Sequence, residues 1–236
     1  MSKVARILVA SIFILFISTG ILHAQGASSS EKNSVAVKGG WHFYEKSDFT
    51  KFWEISPSDI HSFAAEVSYE RELTKFLSLE IPFGYFYSDK IYNYSSIVVR
   101  GDTGSIDLKI WNLYLSPSLK VNIPVAKEFK LYLGAGPDLY YTAGIVEGNY
   151  QSSTVFGNYK NDDEKFSLGV HGLAGVEYFP ASPWALFLEY KYSYVPVKDF
   201  DKVVIDDINS IAGSSLGYND FNVGGHLVFF GVRYHF

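Results

Sequence analysis

From residue 34 onward, apolar and polar positions alternate with a period of two in eight separate stretches. The last is the clearest: Val228, Phe230, Val232, Tyr234 and Phe236 are apolar or aromatic, while Gly231, Arg233 and His235 between them are small or polar. A period of two sends the two sets to opposite faces of a strand. The eight stretches are 34–44, 60–70, 76–88, 108–122, 129–142, 165–179, 184–195 and 221–236. One face carries Val37, Trp41, Phe63, Val67, Leu79, Leu119, Leu133, Leu168, Leu188 and their kin, without a single charge. The other carries Lys38, Glu66, Glu70, Glu80, Lys120, Asp138, His171, Glu177, Glu189, Lys191 and Arg233.

The connections alternate too. Residues 71–75, 123–127 and 180–183 are short joints, whereas 45–59, 89–107, 143–164 and 196–220 are long. Short turns at one end and long loops at the other predict an all-β fold: an eight-stranded antiparallel up-and-down transmembrane β-barrel. An even strand count puts both termini on the short-turn, periplasmic side and the four long loops outside the cell. Aromatics make up 17% of the chain and fall at two heights, which predicts two interfacial girdles. Tyr69, Tyr178, Trp184, Tyr234 and Phe236 belong to the short-turn end. Trp41, Phe43, Tyr85, Tyr87, Trp111, Tyr141, Tyr192 and Tyr194 belong to the long-loop end. A soluble sandwich shares the alternation, but not the girdles or the loop asymmetry.

The N-terminal stretch reads differently. Lys3 and Arg6 precede an apolar run over 7–18, and Leu22-His-Ala24 precedes Gln25. This predicts a signal peptide over 1–24, a loose polar tail over 25–33 and a barrel domain over 34–236. A single anchor helix is the rival reading. Loss of Lys3 and Arg6 takes the formal charge from −5 to −7. An acidic exported chain without a basic patch excludes nucleic acid as a partner. With no cysteine, disulfides and thiolate metal sites are excluded as well.

Candidate chemistry sits on the inner face. The interior of an eight-stranded barrel is just wide enough for side chains to fill. Charges there must pair, because an unpaired buried charge is costly. Glu66, Glu189, Lys191 and Arg233 are therefore expected to form a structural ion-pair network. Catalysis finds no spacing to support it, and no enzyme is expected. His61 and Ser62 are adjacent and face opposite ways; His171, His226 and His235 lack a Ser two residues away; His42 stands alone. Asp199, Asp201, Asp206 and Asp207 offer oxygen ligands but lack the glycine and distal glutamate of a calcium loop. No metal or cofactor is expected. Arg100-Gly-Asp102 reads as part of a turn extending a hairpin above the membrane. Gly134, Gly136, Gly169 and Gly175 give little inward bulk, which leaves room for a cavity on that side.

Several segments together resemble a known family. They are Leu131-Tyr-Leu-Gly-Ala-Gly136, Gly172-Leu-Ala-Gly-Val-Glu-Tyr178, Leu186-Phe-Leu-Glu-Tyr-Lys-Tyr192 and the ending Gly231-x-x-Tyr234-x-Phe236. The whole mature chain is similar to the small outer-membrane barrels grouped around the OmpW, OmpX and opacity proteins. That resemblance implies an integral protein of the Gram-negative outer membrane, whose Gly231, Tyr234 and Phe236 are read by the barrel-assembly machinery. Expected partners are that machinery, periplasmic chaperones, outer-membrane lipids and lipopolysaccharide, for a chain acting as a monomer. The expected role is non-enzymatic: envelope integrity or adhesion-like surface interaction through the long loops, with the surface ligand unnamed. A narrow channel for small hydrophobic compounds is the alternative the W-type resemblance implies, and a lipid A-modifying enzyme is a further one.

Overall fold

A computed structural model describes residues 32–52, 61–95, 103–151, 156–200 and 217–236, with isolated positions 202, 206, 209 and 215. The signal peptide, nearly all of the predicted tail, and Arg100-Gly-Asp102 lie outside the described residues.

The wall is built from β1 (Asn33–Phe43), β2 (His61–Thr74), β3 (Leu77–Ser95), β4 (Thr103–Leu115) with β5 (Ser118–Pro124), β6 (Phe129–Gln151), β7 (Phe156–Ala181), β8 (Trp184–Tyr194) and β11 (Gly225–His235). A short helix, α1 (Asp48–Phe52), follows β1, and a small pair, β9 (Pro196–Val197) with β10 (Phe221–Asn222), lies between β8 and β11. Each wall strand pairs antiparallel with its neighbour, and β1 pairs with both β2 and β11, closing the ring of eight. Closure removes the free edges that an open sheet would expose. Asn33 and Phe236 exchange backbone bonds of 3.1 and 2.8 Å, so the barrel's first and last strands meet at the short-turn end.

β4 and β5 are one predicted strand interrupted at Ser116 and Pro117. The register Leu115↔Leu139 and Leu119↔Ala135 sets Pro117 opposite Pro137. Neither proline has an N–H to give the ladder, so pairing lapses there and resumes in the same register. The partner strand yields to this break at Gly136, where an added Cβ would stand 1.8 Å from the Pro117 carbonyl oxygen.

Three expectations need correction. Residues 89–107 and 143–164 are not mainly loops. The β3–β4 ladder climbs to Ser95↔Thr103, and all 23 residues of β6 pair with β7. Their polar composition carries no period of two, which concealed these strands. The third is the predicted strand 221–236, which is two elements. Phe221 and Asn222 pair with β9, and the chain turns at Gly224 and Gly225 before joining the wall. Gly225 has φ +96°, and an added Cβ at Gly224 would stand 2.1 Å from the Ser193 carbonyl, so both positions need glycine.

Face assignment follows the alternation. Leu168, Val170, Val37, Phe63, Leu133 and Phe230 are among the outward side chains exposed on the wall. The inward charges named above are all buried. Trp111 and its register partner Ala143 are buried on the outer wall, with the Tyr141 ring 5.4 Å from Trp111. Aromatic pairs mark both rims. Trp184–Tyr234 at 4.9 Å and Phe129–Tyr178 at 4.9 Å lie at the short-turn end, and Trp41–Phe230 at 6.5 Å and Tyr141–Phe166 at 4.8 Å at the other.

Candidate functional site

The lumen holds two layers of different chemistry. The lower and middle layer is ionic. Lys38 Nζ lies 2.5 Å from Glu66, 2.8 Å from Glu189 and 3.2 Å from Glu80. Lys120 Nζ reaches Glu70 at 2.8 Å and Glu80 at 3.1 Å, and sits 3.9 Å above the Tyr132 ring. Arg233 fans out to Glu70, to Glu80 at 3.1 Å and to Glu177 at 3.3 Å. Hydroxyls fill further acceptor sites: Tyr114 donates to Glu66 at 3.0 Å, Tyr132 to Glu189 at 3.0 Å and Ser68 to Glu80 at 2.6 Å. Such pairing is what makes buried charge tolerable.

Six buried carboxylates face four fully buried cations, Lys38, Lys120, Lys191 and Arg233. The shortfall is met locally. Lys130 at the rim pairs with Glu177. Asp138 accepts from His171 Nδ1 at 2.9 Å and lies 4.0 Å from Lys191.

Of the four residues named from sequence, Glu66 and Glu189 meet on Lys38, and Lys191 lies 3.8 Å from Glu66. Arg233 binds a different set of acids, joined to the first through Glu80. The connecting residues, Lys38 and Glu80, were visible as inward charges, but their central position depends on how the ring closes. Gly231 makes room for Phe187, whose ring lies 5.3 Å under the Arg233 guanidinium. Tyr234 and Phe236 stack at 6.2 Å on the outer wall.

The upper layer is aromatic and apolar. Phe86, Ile110, Tyr114, Tyr140, Leu227 and Phe229 line it from the wall, and the loop residues Val195, Val197, Phe221 and Val223 close it from above. This plug is a tertiary feature that no local period announces. The plug is tied down by polar bonds. Asn222 Oδ1 accepts from the Val195 and Gly224 amides at 2.8 and 3.1 Å, while its Nδ2 donates to Glu45 at 3.3 Å. Glu45 also accepts from Tyr192 at 2.7 Å. His42, buried beneath, stacks on Phe86 at 4.0 Å and contacts the Gly224 carbonyl through Nε2.

The space beside these glycines is filled. An added Cβ at Gly134 would stand 2.9 Å from Lys120 and 3.0 Å from Leu173; at Gly175, 2.3 Å from the Tyr132 ring; at Gly169, 2.6 Å from Val195. The small residues are there because large neighbours lean over them.

In the last loop, Lys202 Nζ donates to Asp206 at 2.8 Å and to the Tyr218 hydroxyl at 2.9 Å, and Tyr218 donates to Asp206 at 2.7 Å. Bonding to Lys202 and then to Tyr218 holds the Asp206 carboxyl below its ordinary value, and bonding to Asp206 raises the Lys202 ammonium. Asp199 has φ 48° and its amide donates to Asp220 at 3.1 Å; Asp201 and Asp207 lie outside the described residues. Among the described residues no cluster of three His, Asp or Glu is arranged to hold a metal.

Several solved structures are similar to this chain. OprG of Pseudomonas aeruginosa superposes with a TM-score of 0.55 at 12% identity, covering 88% of this chain and 98% of that one. Neisserial surface protein A gives 0.45 at 16% identity over 89% and 100%, and Ail of Yersinia pestis 0.41 at 12% over 88% and 100%. At such identities the likeness to OprG shows the fold. No curated protein matches the sequence. Residues 14–236 match the outer membrane protein beta-barrel domain. With a closed eight-stranded wall, two aromatic girdles and that match over nearly its whole length, this chain belongs to the outer membrane protein beta-barrel domain family of the bacterial outer membrane.

Proposed function

We propose that this barrel works at its outer surface, as an envelope-integrity or surface-interaction protein, rather than as a channel. The observation that carries the reading is the filled interior. Charge-paired side chains occupy the middle and an aromatic plug sits above them, so solute passage would require both to part. In this reading a signal peptide over 1–24 is removed and the barrel-assembly machinery recognises Gly231, Tyr234 and Phe236. The short turns then face the periplasm, while the tall β3–β4 and β6–β7 hairpins stand in the lipopolysaccharide layer as a monomer's binding surface. The filled glycine sites favour this over a conduit for hydrophobic compounds.

Single-channel recording of the refolded mature chain in a planar bilayer tests it. Folding would be checked first by heat-modifiable gel migration. The expected result is a folded barrel without discrete openings. Regular openings would reject the closed-lumen reading and establish the conduit.

A further inference from the structure

Ser118, His171 and Asp138 stand in relay order inside the barrel, although 53 residues separate the serine from the histidine. Ser118 Oγ lies 2.7 Å from His171 Nε2, and His171 Nδ1 lies 2.9 Å from Asp138 Oδ1. The fold creates this contact at one place. Ser118 resumes the wall just after the Pro117 break, and Gly136 separates it from His171 along the rung. A side chain at Gly136 would press on His171 Cε1 at 3.2 Å, so the glycine lets the imidazole lie across β6 to the serine. No short sequence spacing marks a pair joined across a glycine.

We propose that Ser118, His171 and Asp138 form a plug-gated acyl-transfer site whose substrate is an ester with an apolar acyl chain. The roles follow from hydroxyl, imidazole and carboxylate chemistry. With the tautomer assigned from the hydrogen bonds, Nδ1–H donates to Asp138 and Nε2 accepts from the Ser118 hydroxyl. The Ser116 carbonyl, 3.0 Å away, is a competing acceptor for the same proton, so the hydroxyl turns from it to Nε2 to enter the relay. Ser118 Oγ bonds to the ester carbonyl carbon as its proton passes to Nε2. The carbon–alkoxy bond breaks and the leaving oxygen takes that proton. Water then attacks the acyl-serine by the same route, releasing the acid and restoring the hydroxyl. Lys191 Nζ, without a hydrogen-bond partner among the described residues, supplies positive charge near the site, 4.0 Å from Asp138.

The apolar layer sets the substrate class. Its wall residues Phe86, Ile110, Tyr140 and Phe229 would line an acyl chain once Val195, Val197, Phe221 and Val223 are displaced. The plug roots beside the relay. Ser193 pairs with His171, and Val195 fills the space over Gly169, which pairs with Asp138. Lifting the plug therefore uncovers His171 and Asp138 first. In the closed state Ser118 is fully buried, which makes the activity conditional on that movement.

The test uses the refolded full-length mature chain and a decyl fluorophosphonate, with peptide mass mapping of the adduct. A Phe221→Ala variant loosens the plug. The proposal expects an adduct on Ser118 that forms faster in the Phe221→Ala chain, and none in Ser118→Ala. His171→Gln should slow labelling by ~100-fold or more, the usual contribution of a general base. Asp138→Asn, acting through the imidazole, should move the pH dependence of labelling without changing the heat-modifiable folded fraction. If Ser118→Ala fails to fold, Ser118→Thr serves as the control, expected to fold and to label more slowly. No adduct on Ser118 in either the wild-type or the Phe221→Ala chain, with both folded, overturns the proposal. So does labelling that His171→Gln leaves unchanged.

Discussion

Lys38→Met tests whether the lumen behaves as a dry interior. Its ammonium serves three carboxylates, and they would not suffer equally. Glu80 keeps Lys120 and Arg233, each at 3.1 Å. Glu66 keeps the Tyr114 hydroxyl at 3.0 Å and Lys191 at 3.8 Å. Glu189 keeps the Tyr132 hydroxyl at 3.0 Å and, among the described residues, no cation. Removing one partner of a buried pair costs about 3–5 kcal/mol, mostly the penalty for the charge left behind. Lys38→Met should therefore cost about 3–5 kcal/mol, with Glu189 as the main sufferer. Adding Glu189→Gln removes that charge and should recover more than half of the loss. Adding Glu80→Gln to Lys38→Met should recover little. Urea unfolding in lipid vesicles, followed by tryptophan fluorescence, measures all three. A Lys38→Met loss below about 1 kcal/mol would put these charges in a surface-like, solvated setting and refute the dry-lumen reasoning. Equal recovery by the Gln variants would refute the assignment of the penalty to Glu189.

Other outcomes follow from particular contacts. Gly84→Ala places a Cβ 2.1 Å from the Tyr114 ring. It should cost about 1–3 kcal/mol through overpacking, checked by the same unfolding assay. Leu133, 55% exposed on the outer wall, should tolerate Ala but lose about 2–4 kcal/mol as Arg if it sits near mid-bilayer; equal effects would place it away from lipid. In the last loop, a depressed Asp206 pKa means the Lys202–Asp206–Tyr218 staple is fully present above the ordinary value of 3.8 and is lost as pH falls through the lower folded value. Carboxyl NMR should find Asp206 titrating below 3.8, and Lys202→Met should raise it toward that value while Tyr218 still donates.

The wall was legible in the sequence because a half-lipid, half-lumen strand must alternate at every step, from Val35 through Phe236. The extent of β3, β4, β6 and β7 was not. Beyond Tyr87 and Tyr141 the composition turns polar, with Asp89, Lys90, Asn93, Glu147 and Asn149, and a polar strand carries no period to read. Inward charges such as Lys38 and Glu80 were individually visible. Which acid meets which cation was not, because strand closure brings β1 beside β11 and sets Arg233 against acids from β2, β3 and β7. The Ser118–His171 contact is of the same kind: it needs the tertiary rung through Gly136, not a spacing along the chain.

The placement of Arg233 has a consequence for how the barrel is made. Its three carboxylates, Glu70, Glu80 and Glu177, come from strands that precede β11 in the chain. Until β11 slots between β1 and β8, those acids gather without their guanidinium and the first and eighth positions of the ring remain unsealed. Neutralising the interior and zipping the seam are thus one event, carried by one strand. A half-closed ring would hold both an unsatisfied charge cluster and two open edges in the bilayer, so the biosynthetic path is biased toward completion in a single late step, with little to gain from stopping short.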